Sequence, residues 1–118
     1  GAFRNHPCTQ WAAANQYNLA WLILHGTALC DEYYQRYGKV HACYDVIVQA
    51  QRIYHNCFDD NLNDAAAKVT DFTRAMPENI KFDSTITTIQ AYIKYLNTKP
   101  WLPTNYLRIP SRKPSFIT

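Results

Sequence analysis

The chain has 118 residues, of which 47% are apolar and 18% charged, and it carries three Trp, nine Tyr and five Phe. This balance fits one globular domain with an aromatic-rich core and excludes a disordered chain, a collagen-like chain and a multidomain enzyme. The net charge of +3 is too small to argue for nucleic acid by itself, and the longest apolar run, Leu19 to Leu24, stops far short of a membrane span.

The first expected element is a helix from Thr9 to about Tyr37, with Thr9 as N-cap and Gly38 as its stop. On a wheel of about 100° per residue with Trp11 at the origin, Ala14, Trp21, Leu22, Ala28 and Leu29 fall between about 260° and 20°. Gln16, Thr27, Asp31 and Tyr34 fall opposite. Gly26 is the expected point of a kink or division, because glycine costs about 1 kcal/mol inside a helix. Unbent, such a helix spans about 43 Å at 1.5 Å per residue.

A second helix is expected over His41 to about Asn56, followed by a polar loop over Cys57 to Asn63 and a short helix around Asp64 to Thr73. Met76-Pro77 breaks the pattern. A further helix is expected from Ser84 to about Asn97. Beyond it, Pro100, Pro103, Pro110 and Pro114 predict an extended tail laid over the body by Trp101, Tyr106, Leu107, Ile109 and Phe116. The expected fold is all-α: a small orthogonal bundle of about four helices with an extended Pro-rich C-terminal tail. One domain is expected over 1–118, with an N-terminal arm (1–8), a helical body (9–97) and a basic tail (98–118).

The charge is unevenly spread. Residues 1–58 carry a net +1, residues 59–83 a net −3, and residues 84–118 a net +5 with no acidic residue. Arg108, Arg112 and Lys113 are therefore candidate contacts for nucleic-acid phosphates, with a plain solubilising tail as the alternative.

The four cysteines follow no disulfide framework and lie among apolar neighbours, which predicts buried free thiols in an intracellular protein. Three of the four His stand two residues before a Cys, in His6-Pro7-Cys8, His41-Ala42-Cys43 and His55-Asn56-Cys57. Zinc-finger spacings are absent, so no metal site is assigned and no cofactor is expected.

A polar stripe runs through the apolar arc of the first helix. Asn18, His25 and Glu32 are spaced by seven, and Arg36 stands four residues after Glu32. Placed on a buried face, these groups cost several kcal/mol unless each finds a partner. In the structural reading Glu32 pairs with Arg36, His25 is a satisfied core histidine and Asn18 bonds a backbone carbonyl. In the functional reading Glu32 and His25 are catalytic on a small anionic substrate, with Asn18, Arg36 and Lys39 binding it. Two flanking clusters, Asn5-His6 before the helix and Lys39 with His41 after it, are further candidate binding residues near helix ends.

The strings Asn5-His6-Pro7-Cys8-Thr9-Gln10-Trp11, Leu29-Cys30-Asp31-Glu32-Tyr33 and Arg36-Tyr37-Gly38-Lys39-Val40-His41 resemble an uncharacterised family of tailed-phage proteins, marine phages above all. Ala75-Met76-Pro77-Glu78 and the run Arg108 to Ile117 extend the resemblance over most of the chain. It lends no activity. More distantly, the all-α layout and the Arg4-Asn5-His6-Pro7 start resemble phage pyrimidine-dimer DNA glycosylases, whose nucleophile is an N-terminal amine with a helical Glu. The start of this chain does not match that arrangement. Members of the phage family carry a segment ahead of the His-Pro-Cys-Thr motif. With Gly1 set aside as a tag scar and no initiating Met, the resemblance implies that the chain is one part of a longer protein in the host-cell cytoplasm.

Three functions stand at this point. The first is DNA binding or processing, or the binding of another phosphate-bearing ligand. The second is an interaction module that forms a homodimer through its C-terminal tail. The third is an enzyme acting on a small anion. No membrane association is expected.

Overall fold

The computed structural model describes residues 3–117. They form six α-helices: α1 (Pro7–Ala13), α2 (Gln16–Tyr37), α3 (Tyr44–Cys57), α4 (Leu62–Ala66), α5 (Glu78–Lys81) and α6 (Thr88–Asn97). Two 3-10 turns follow, Leu102–Tyr106 and Pro110–Arg112, and there is no strand among the described residues. The fold is all-α, with four helices of seven residues or more. The chain divides into two compact units, Gly1–Asp71 and Phe72–Thr118, and the division falls inside the segment 9–97.

The single helix expected from Thr9 to Tyr37 is two helices, and the break is not at Gly26. Asn15 is fully extended, and its side chain accepts the Asn18 N–H at 2.9 Å, so it caps α2 while α1 ends just before it. Gly26 lies inside unbroken α2 for a packing reason: a Cβ there would lie 3.0 Å from Ile47 Cδ1 of α3. Gly38 does end α2. It takes the left-handed conformation at φ 65°, and its N–H donates to the Tyr34 carbonyl at 2.8 Å.

The His-x-Cys pairs have a backbone explanation. His6 precedes α1, and its Nδ1 accepts the Cys8 N–H at 3.0 Å; His41 does the same for Cys43 N–H at 3.0 Å just before α3. His6 does the work of a capping Asn or Asp for α1, whereas His41 closes a local turn onto Cys43, the residue that precedes α3. The third pair lies within α3, where His55 and Cys57 point apart. All four cysteines are free, but only Cys30 is buried; Cys8, Cys43 and Cys57 are exposed, against the expectation of buried thiols.

The core of the first unit joins Ala20 and Ile23 of α2 to Tyr54 of α3 and to Leu62 and Ala65 of α4, with Leu19, Leu24, Ile47 and Phe58 around them. Here the wheel reading is corrected. The face of α2 that is buried bears Ala20, Ile23 and Cys30, whereas Leu22, His25, Ala28 and Leu29 from the expected apolar arc are exposed. The apolar side chains of α2 run almost all the way round the helix, so periodicity alone could not pick the core side. The break at Asn15 also removes Trp11 as a phase reference for α2.

Tyr54 is completely buried and donates its hydroxyl to Asp60 Oδ1 at 2.6 Å, while Gln16 Nε2 donates to Oδ2 of the same carboxylate at 3.0 Å. Burial, then the bond to Asp60 and its negative charge, push the Tyr54 hydroxyl up to about 12. The folded chain holds this proton above pH 10 while an unfolded tyrosine releases it. Stability contributed by Tyr54 is therefore lost as pH rises from about 10 toward 12. An ultraviolet titration at 295 nm is expected to show one tyrosine ionising late, together with unfolding; Tyr54→Phe removes that late step.

The helix expected to run to Thr73 stops at Ala66, because the Thr70 N–H donates to Asn18 Oδ1 at 2.9 Å and not to a carbonyl one turn back. In the second unit α6 starts at Thr88, capped by Thr87 in a reciprocal box with Gln90. Helix α5 was not anticipated; Pro77 followed by Glu78 is its signal. The expected extended tail is also corrected. Pro103 and Pro110 sit in the first turn of the two 3-10 turns, where a missing N–H costs nothing. Leu102, Tyr106 and Ile117 cluster there, while Trp101, Leu107 and Phe116 stay exposed.

Candidate functional site

In the first unit a groove of about 400 Å³ opens where the C-terminal half of α2 meets the turn into α3. Gly26 and Ile47 belong to its lining, and the missing side chain of Gly26 lets the Ile47 side chain pack directly against α2. Leu29, Cys30 and the rings of Tyr33, Tyr37 and His41 line the rest. Tyr33 holds these rings together: its centroid is 4.8 Å from that of Tyr37 and 4.8 Å from that of His41, the last pair edge to face. Glu32 and Arg36 also line it, joined through Arg36 Nε and Glu32 Oε1 at 3.0 Å with side chains 26% and 20% exposed.

The second candidate surface is the second unit. It holds seven basic residues against two acidic ones, +5, while the first unit holds five against seven, −2. Its cations Lys81, Lys94, Arg108, Arg112 and Lys113 are exposed, as are the rings of Phe82, Trp101 and Phe116, with the Lys81 ammonium over the Phe82 ring. No family model, curated protein or solved structure matches the chain.

The structure separates the members of the polar stripe. Asn18 is fully buried beneath α1. Its Nδ2 donates to the Trp11 carbonyl and to Thr70 Oγ1, both at 2.9 Å, and its Oδ1 accepts from Thr70 N–H and from the Thr70 hydroxyl. That exhausts the capacity of the amide. His25 lies on the open side of α2, stacked on Trp21 at 4.6 Å, and Trp21 in turn meets Trp11 edge to face at 5.7 Å. Partial burial lowers the pKa of His25, which favours the neutral ring in the stack. It does not line the groove with Glu32.

Of the flanking clusters, His41 reaches the groove and Lys39 does not line it; Lys39 is exposed just after Gly38. Asn5 and His6 are exposed at the start of α1, where His6 acts as its cap. Glu32, Arg36 and His41 are thus brought together. Tyr33, Tyr37 and Cys43 are groove residues that sequence reasoning passed over, and an aromatic pair at i and i+4 next to the Glu32–Arg36 pair was the signal for them.

Among the described residues no three His, Cys, Asp or Glu side chains gather in a way that could hold a metal ion, and no helix is long and apolar enough to cross a membrane.

Proposed function

We propose that this chain is a nucleic-acid-binding protein of the tailed-phage kind it resembles, with its second unit as the binding surface. The observation that carries this reading is the exposure of Arg108, Arg112 and Lys113 in a unit with a net +5 that also exposes the rings of Phe82, Trp101 and Phe116. Cations neutralise phosphates and release their counterions, while rings contribute contacts that salt does not screen. The acidic first unit serves as the folded body and its groove as a separate feature. Catalysis by a Glu32–His25 couple gains no support, because the two lie in different settings, one on the groove and one stacked on Trp21.

Fluorescence anisotropy with labelled DNA tests the proposal. Binding at low salt should weaken linearly in log Kd against log salt, with a slope that falls in the Arg108→Gln/Lys113→Gln double variant. Absence of binding at low salt, or binding indifferent to salt, overturns it.

A further inference from the structure

We infer that the ligand of the second unit is single-stranded nucleic acid, its bases stacking on Trp101 while Arg108 and Lys113 meet its phosphates. This rests on the nucleic-acid reading above and specifies its substrate class.

Three features of the unit favour a single strand over a duplex. The cations do not lie along a helix that could enter a major groove. Helix α6 is only ten residues long, about 15 Å at 1.5 Å per residue, and Lys94 is its one basic residue. Its exposed positions include Ile89 and Leu96, which can make no hydrogen bond to a base edge. The basic residues past α6 fall in the stretch 99–113, which consists of two short 3-10 turns and their connections and offers no helix long enough to fill a groove.

The second feature is the exposed rings. Trp101 is 50% and Phe116 47% exposed, although Leu102, Tyr106 and Ile117 beside them are buried. A duplex keeps its base faces stacked inside and offers such rings little; an open strand presents every face. The third feature is position. Asn97 Nδ2 donates to the Phe116 carbonyl at 3.1 Å, tying the end of the tail to the last turn of α6, and Trp101 follows Asn97 by four residues. The two rings therefore belong to one end of the unit. Lys99 is held there as well, its ammonium over the Tyr95 ring at 4.3 Å and bonded to the Tyr95 hydroxyl at 2.8 Å.

The test uses the full chain with a labelled oligothymidylate of about 15 nucleotides and a duplex of the same length. The single strand should bind about tenfold more tightly, and saturating oligothymidylate should quench tryptophan fluorescence. Trp101→Ala should lose about tenfold for the single strand while keeping the duplex affinity and the salt slope; Trp101→Phe, which keeps a ring, should lose less. A parent-like circular dichroism spectrum checks that Trp101→Ala folds, and the quenching in the unaltered chain decides if it does not. Equal or tighter duplex binding, no quenching at saturation, or a folded Trp101→Ala that binds the single strand like the parent overturns this inference and leaves the nucleic-acid reading standing. Failure to bind either oligonucleotide at low salt overturns both.

Discussion

Asn18→Ala is expected to lower the unfolding free energy by about 3 kcal/mol, a large share of the roughly 5–15 kcal/mol that holds a small domain together. Asn18 is fully buried, and its amide ties three segments at once. Its amide nitrogen closes the end of α1 through the Trp11 carbonyl, and its oxygen receives the Thr70 N–H and hydroxyl. Alanine leaves the Trp11 carbonyl and the Thr70 N–H without these partners and adds a cavity where the amide stood. A urea melt should show the midpoint fall with little change in slope, and the Thr70 amide should lose its protection from hydrogen exchange. A ligand-binding role for Asn18 makes the opposite prediction, a variant of parental stability with altered binding.

The same residue shows what the sequence could and could not disclose. A polar residue in register with a helical stripe stood out at once, yet its partner Thr70 is 52 residues away, and no local pattern encodes that pairing. Helices α3 and α6 were legible because their apolar faces are one-sided and their ends are marked, α6 by the Thr87–Gln90 box. Helix α2 was legible as a helix, but its buried side was not. With Trp21, Leu22 and Leu29 on one side and Ala20, Ile23 and Cys30 on another, only the docking of α3 and α4 decides which set is covered. The Glu32–Arg36 pair followed from spacing alone. The groove it borders did not, because that depends on the close approach of α3 at Gly26, and a glycine in a helix reads equally well as a kink. The tail went astray for a related reason. Proline excludes a helix interior but suits the first turn of a 3-10 turn, and Pro103 and Pro110 are used that way.

Arg74→Met should cost the second unit about 2–3 kcal/mol and loosen the segment that joins α5 to α6. The Arg74 guanidinium binds no carboxylate directly. It gathers backbone oxygens: Nη1 donates to the Asp83 carbonyl at 2.8 Å and to the Lys81 carbonyl at 3.4 Å, Nη2 to the Ile86 carbonyl at 2.7 Å, and Nε to Thr88 Oγ1 at 3.2 Å. These acceptors span the end of α5 and the start of α6, a stretch with no buried apolar residue between Ile80 and Ala91 to hold it. A planar fork of donors suits this task, and methionine retains the stem while removing every bond. Asp83 adds to the effect. The Thr85 hydroxyl and then the Thr85 N–H hold its carboxyl below the usual range, with Lys94 and Arg74 contributing as nearby positive charges. Its stabilisation is therefore present at neutral pH and lost as pH falls through its lowered value, and because Thr85 is its main cause it persists in the variant. On the other side the Tyr92 hydroxyl donates to the Thr73 carbonyl and accepts the Ala75 N–H at 3.1 Å, so the chain on both sides of Arg74 is already pinned to α6. Hydrogen exchange should consequently rise over 81–88 first and at the Ala75 amide last; an unchanged exchange profile over 81–88 would show that the guanidinium bonds are dispensable.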